Sequence, residues 1–286
     1  MRSIIVLFFT CFAFTVQAQE LYVSAEPASN MPANSLGLRL TNKFFKMEHE
    51  NRTGFRFEPE VMFGINRNLM LHFTGYMANA MQENVRFEGG SVYAKYRFFS
   101  QDEPHSHFRM AAYVKGSVID NPFEPKVDPE HSDETVYANR ELDLEGMASG
   151  VSGGIIATKL VHKLAVSGTL GYNRFLNNIK TNLPDGFSEN MLNYSLSFGY
   201  LTLPITYKSY EQTNMNLYVE FLGKANMDQG RGNYIDVAPA IQFIFNSTTR
   251  LDLAYRWEVS GNMVRNMPNS FTVRMEHNIF NAFKRK

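Results

Sequence analysis

Strict alternation of apolar and polar side chains dominates the chain from about residue 36 onward. Leu251-Asp252-Leu253-Ala254-Tyr255-Arg256-Trp257-Glu258-Val259 is the clearest case, and Phe55-Arg56-Phe57-Glu58 and Phe271-Thr272-Val273-Arg274-Met275-Glu276 repeat it. A period of two places successive side chains on opposite faces of a β-strand, so each ribbon carries one greasy face and one polar, often charged, face. There is no long 3.6-residue stripe, and no segment has the roughly 18 apolar residues of a transmembrane helix.

Cutting at turn residues predicts twelve strands: 36–44, 54–65, 69–79, 89–99, 107–117, 141–160, 164–175, 191–208, 215–226, 233–245, 250–260 and 270–283. Ten or fourteen strands fit the same pattern. Most are longer than the five or six residues usual in soluble sheets and match the 9–11 that cross a bilayer at a tilt. The connections alternate in length. The set at 66–68, 100–106, 161–163, 209–214 and 246–249 is short, and the set at 45–53, 80–88, 118–140, 176–190, 227–232 and 261–269 is mostly long. Short turns on one side and long loops on the other are the habit of outer-membrane barrels, with both termini on the short-turn, periplasmic side. Two strands are irregular. The segment 141–160 is too long and carries Gly146, Gly150, Gly153 and Gly154, while 191–208 changes phase near Tyr200-Leu201, where a bulge would restore facing.

Charge decides which face is which. The polar faces collect Arg39, Lys43, Arg56, Lys95, Arg97, Arg109, Lys115, Lys224, Arg256 and Arg274. With them come Glu58, Glu60, Glu141, Asp143, Glu145, Glu220, Asp236, Asp252, Glu258 and Glu276. Matched signs suit a narrow lumen where ions pair across the axis, with the greasy faces turned to lipid. The opposite arrangement, charges outward on a soluble periplasmic β-protein, is the competing expectation. Phe98, Phe99, Phe108, Tyr207, Tyr210, Phe243, Phe245 and Phe283 fall toward the short-turn side, as an interfacial aromatic girdle would.

Composition adds limits. The 28 Lys+Arg balance 28 Asp+Glu, which gives no basic excess for nucleic acid. Residues 1–18 read as a secretory signal: a positive start, an apolar run over 4–16, and Val16-Gln17-Ala18 before the expected cleavage. The single cysteine, Cys11, lies within it, so no disulfide is expected. Residues 19–35, with Pro27 and Pro32, read as an irregular periplasmic lead-in, 36–283 as the barrel, and 284–286 as a basic tail.

The terminal stretch Phe271-Thr272-Val273-Arg274-Met275-Glu276-His277-Asn278-Ile279-Phe280-Asn281-Ala282-Phe283 alternates and closes on an aromatic, here followed by Lys284-Arg285-Lys286. Gly89-Gly90-Ser91-Val92-Tyr93-Ala94-Lys95-Tyr96-Arg97-Phe98-Phe99 is similar to a strand of porin-like and transporter-like barrels. Over roughly 36–283 the chain resembles the single-chain outer-membrane β-barrel proteins of Gram-negative bacteria. That resemblance implies an all-β, up-and-down antiparallel transmembrane barrel in the outer membrane. Its partners would be membrane lipid, lipopolysaccharide and the barrel-assembly machinery.

The functional expectation is a porin-like channel or transporter for a small solute, without cofactor or catalysis. Its pore lining would be Arg56, Glu58, Glu60, Lys95, Arg97, Asp252, Arg256, Glu258, Arg274 and Glu276. The alternative is a sealed structural or adhesion barrel acting through its outer loops. An outer-membrane hydrolase is the lesser alternative: only His49 and His131 fall in outer loops, and the Ser132-Asp133 beside His131 makes no triad. His105 and His107, in or beside a short turn, are a weak metal pair, because two ligands are too few. The carboxylates of 118–140 lack the spacing of a calcium loop.

Overall fold

A computed structural model describes residues 22–47, 52–80, 84–120, 139–177, 179–180, 183, 186–206, 209, 211–228 and 231–283. The expected signal segment and basic tail, His49, His131, Tyr207, Tyr210 and most of loop 118–140 lie outside these residues. Twelve strands follow one another: β1 (Ser35–Lys46), β2 (Thr53–Gly64), β3 (Leu69–Ala78), β4 (Arg86–Glu103), β5 (Ser106–Ile119), β6 (Gly150–Val161), β7 (Leu164–Phe175), β8 (Asn190–Leu203), β9 (Asn214–Asn226), β10 (Asn233–Phe245), β11 (Thr249–Gly261) and β12 (Ser270–Ile279). Each pairs antiparallel with its sequence neighbour, and β1 pairs with β12, from Leu36 opposite Ile279 to Phe45 opposite Ser270. The sheet is thus a closed up-and-down barrel without edges.

Local chemistry shapes the short turns. The Asn66 side chain accepts from the backbone N–H groups of Asn68 (2.8 Å) and Leu69 (2.9 Å), closing the β2–β3 turn. Asn246 and Ser247 both take positive φ (50° and 58°), the backbone of a tight hairpin, between β10 and β11.

The faces fall as the charge argument requires. Val114 is 63% exposed and Leu170 58%, with Phe73, Val92, Leu196 and Trp257 also outward. Lys95, Glu220, Asp236 and Asp252, by contrast, are fully buried inside. In water the outer surface would be an unmanageable apolar patch; in a bilayer it is the lipid-facing belt. Phe98, Phe99, Phe245 and Phe283 are exposed at the short-turn end, where Phe283 stacks on Phe63 with ring centroids 5.9 Å apart. A Val114→Arg substitution, near the middle of β5, places a cation on this belt and is expected to cost about 2–4 kcal/mol. Reversible unfolding from lipid vesicles measures it.

Four expectations need correction. The strand expected over 141–160 begins only at Gly150, because 139–149 leaves the wall and folds inward. Glu141, Asp143 and Glu145 still face the lumen, but from a loop. The strand expected to reach 208 ends at Leu203, after a register shift between Leu201 and Leu203 that supplies the expected bulge. The last strand ends at Ile279 rather than 283. Finally, the described part of the lead-in, residues 22–34, is irregular as expected but sits inside the barrel. Tyr22, Val23 and Ala28 are buried there, Tyr22 and Val23 against Leu160, Ala165, Tyr218, Ala240 and Ala254 of the inner wall.

Candidate functional site: a chamber in the lumen

Irregular backbone needs partners for its amides and carbonyls, and the inward ions of the wall provide them. The Glu220 carboxylate accepts from three consecutive backbone N–H groups: Val23 (3.0 Å), Ser24 (2.8 Å) and Ala25 (2.7 Å). Arg274 donates to the carbonyls of Val23 (2.7 Å) and Tyr22 (2.6 Å). Lys95 donates to those of Pro27 (2.6 Å) and Ser29 (2.9 Å), and Thr158 accepts from Ala28 N–H at 2.9 Å. Residues 22–34 therefore form a floor strapped across the short-turn half of the lumen.

The other end is roofed by two loops, 139–149 and 262–269, joined where Glu141 N–H donates to Val264 O (2.9 Å). Three alternate residues of the first loop are carboxylates docked on wall cations: Glu141 on Lys224 (2.8 Å), Asp143 on Arg56 (3.1 Å), Glu145 on Lys43 and Lys115 (3.2 Å each). Gly146 has a φ of +121°, and a Cβ there would lie 2.4 Å from a Glu88 oxygen, so the turn at the loop's tip requires glycine. From the second loop Arg265 reaches Glu141 (2.9 Å), Asp236 (2.7 Å) and Glu258 (3.0 Å), its guanidinium 3.5 Å from the Tyr234 ring centroid. The loops' own Leu142, Leu144, Met147 and Met263 pack with Phe175 and Met191 of the wall.

Between floor and roof lies a chamber of about 390 Å³. One wall is aromatic: His72, Tyr93 and Tyr113 follow one another with centroids 5.0 and 5.5 Å apart. Tyr113 lies against Gly171, where any side chain would collide with its hydroxyl, and accepts a hydrogen bond from Asn193 Nδ2 at 3.1 Å. Lys43, Lys115, Glu58 and Glu145 face the chamber as well.

Of the ten expected lining residues, Arg56, Glu58, Glu60, Arg256 and Arg274 border the chamber. Glu58 pairs with Lys43 (2.8 Å), Glu60 with Arg39 (2.9 Å), and Arg256 with Asp236. The other five do not border it. Lys95 is covered by the floor, Asp252 is spent on Arg274 (2.6 Å), Glu258 on the roof's Arg265, and Glu276 on Arg39 (2.8 Å) and Arg250. Arg97 is half-buried two residues beyond Lys95. Glu26, Arg265 and Arg250, each in an ion pair inside the barrel, escaped sequence reasoning. Glu26, on Arg39 (2.9 Å), lay in a presumed lead-in, and Arg265 in a presumed outer loop. Arg250 shares the parity of Asp252 and was legible on that ground. His105 and His107 engage different partners: His105 stacks on His162, and His107 bonds Asp102 (2.8 Å). Among the described residues no three His, Cys, Asp or Glu converge to hold a metal.

Burial alone would raise the Glu26 and Glu141 carboxyls, but Arg39 with Lys95, and Lys224 with Arg265, hold them well below the usual carboxylate range. Lys43 and Lys115 do the same for Glu145. Depressed folded values mean that the stability these docking contacts contribute is fully present above the ordinary glutamate value, about 4.3, and declines as pH falls from there toward the depressed folded values. The temperature at which the barrel changes mobility on a denaturing gel should therefore fall below about pH 4. A fall near pH 6.5 would point to histidines instead.

No family model and no curated protein matches this sequence. Solved structures do match. One is the COG4313 outer membrane channel from Pseudomonas putida F1, with TM-score 0.59 and 10% identity, covering 90% of this chain and all of that one. The NanC porin (TM-score 0.48, 9% identity, 84% of this chain and 97% of that one) and the KdgM porin (0.43, 8%, 84% and 98%) are more distant. At these identities the first likeness establishes the fold, that of an outer-membrane-type β-barrel.

Proposed function

We propose that the protein is a porin-like outer-membrane channel for a small polar solute, held closed between the N-terminal floor and the inward loops. The observation that carries this reading is the chamber. A barrel built only as a scaffold gains by packing its interior, whereas this one keeps about 390 Å³ of space faced by ions, hydroxyls and amides alongside aromatic and aliphatic side chains. Lipid and lipopolysaccharide surround its apolar belt, and the barrel-assembly machinery inserts it through the alternating terminal strand. The likeness to a barrel described as an outer membrane channel is in keeping with it.

The sealed structural reading draws on a specific observation too, the dense hydrogen bonding of the floor. Planar-bilayer recording separates the two. The channel reading expects sparse, small steps from the intact protein and sustained conductance once residues 22–31 are deleted. Silence from both, with folding verified by heat-dependent gel migration, leaves the sealed barrel.

A further inference from the structure

Glu145 differs from the other carboxylates that face the chamber. Its side chain is 42% exposed, against 11% for Glu58 and Glu141 and 12% for Asp143. It is carried by the tip of a loop, and its two contacts, 3.2 Å to Lys43 and 3.2 Å to Lys115, are longer than the 2.8 Å contact of Lys43 with Glu58. Both lysines are anchored in the wall, on β1 and β5, and are largely buried (side chains 23% and 18% exposed). The Lys115 ammonium also lies 5.7 Å from the Tyr76 ring centroid, and the Tyr76 hydroxyl is engaged by Ser91 at 2.7 Å.

This is a preformed two-ammonium cradle filled from within the chain. A buried cation left without a partner is costly, so the cradle demands an anion at all times. Glu145 can leave without such a cost to itself, because its side chain already meets the water of the chamber. Withdrawing Glu58 instead would strand a buried carboxylate. The loop would keep its other anchors, Glu141 on Lys224 and Asp143 on Arg56.

We propose that Lys43 and Lys115 form a binding site for the carboxylate of a small organic acid, and that Glu145 is the internal stand-in which the incoming carboxylate displaces. This deepens the channel reading, on which it rests, by naming the solute class and the point in the lumen where it is held.

Isothermal titration of the purified, detergent-folded protein with gluconate and with sorbitol, similar in size but differing in charge, tests it. Gluconate should bind at least about tenfold more tightly than sorbitol. Glu145→Gln removes the internal competitor and should tighten gluconate at least about tenfold further, since the apparent affinity is reduced by the fraction of cradles already occupied. Lys115→Met should bring gluconate down to the sorbitol level. Lys43→Met is the second variant should that one fail to fold, as judged by heat-dependent migration. Equal binding of the two probes, or a Glu145→Gln protein with unchanged or weaker gluconate binding, overturns the proposal. The two readings fail separately. Gluconate bound by a barrel that conducts in no form removes the channel and keeps the site, whereas conductance with no preference for gluconate does the reverse.

Discussion

Glu220→Ala should leave the barrel folded and its floor loose. The wild-type carboxylate is fully buried on β9 and takes three consecutive backbone N–H groups, those of Val23, Ser24 and Ala25. Hydrogen bonds to a charged group are worth about 1.5–3 kcal/mol each, and a buried donor left without a partner is penalised further. The three do not add, but a net loss of even about 3 kcal/mol shifts the docking equilibrium roughly a hundredfold. Within the wall β9 keeps its ladders to β8 and β10, so closure of the sheet does not depend on this side chain. The expected result is a native heat-dependent gel shift together with an open probability in planar bilayers raised by one to two orders of magnitude. Glu220→Gln, which retains one good acceptor, should fall between. A cysteine at Ser24, in a chain whose single native cysteine is Cys11, gives an independent readout: a water-soluble thiol reagent should label it much faster in the Glu220→Ala background. Unchanged labelling and unchanged conductance would show that Arg274, Lys95, Thr158 and Arg39 hold the floor without Glu220.

The wall of this barrel was legible in the sequence because a strand between lipid and ions has to alternate. Leu251 to Val259 reads inside from outside without any structure, and the phase change at Tyr200-Leu201 correctly marked a bulge. What fills the wall was not legible, because it depends on which cations lie across a lumen. Residues 22–34 have no periodicity of their own, and their conformation is set by Glu220, Arg274 and Lys95, distant in sequence. Glu141, Asp143 and Glu145 misled in an instructive way. A carboxylate at every second position looks like the inner face of a strand, and the side chains do point inward, yet the backbone is a loop pulled down by Lys224, Arg56, Lys43 and Lys115. Of the expected pore residues, Arg56 and Glu258 are therefore engaged in holding the roof and Lys95 and Arg274 in holding the floor, and the chamber is what remains between them.

Arg265→Met should be the most damaging single change in the roof, although this position reads from sequence as the middle of an outer loop. Its guanidinium is buried, with the side chain 2% exposed, and touches three carboxylates: Glu141 at 2.9 Å, Asp236 at 2.7 Å and Glu258 at 3.0 Å. Removing it leaves Glu141 to Lys224 and Asp236 to Arg256, with Glu258 losing its roof partner. Breaking a buried ion pair by deleting one member costs about 3–5 kcal/mol, because the surviving charge stays desolvated. Arg265→Lys should recover only part of the loss. An ammonium cannot reproduce the fork that meets both Asp236 oxygens at 2.7 Å, nor the planar cation that now sits 3.5 Å from the Tyr234 ring centroid. The measurement is the urea midpoint of the folded barrel in vesicles, followed by its gel-shift temperature. Adding Glu258→Gln to Arg265→Met removes the charge that has lost its partner and should restore part of the midpoint, a non-additive pattern expected of residues in one network. Additivity of the two changes, or a wild-type midpoint for Arg265→Met, would mean that the loops rest on the barrel without bracing it.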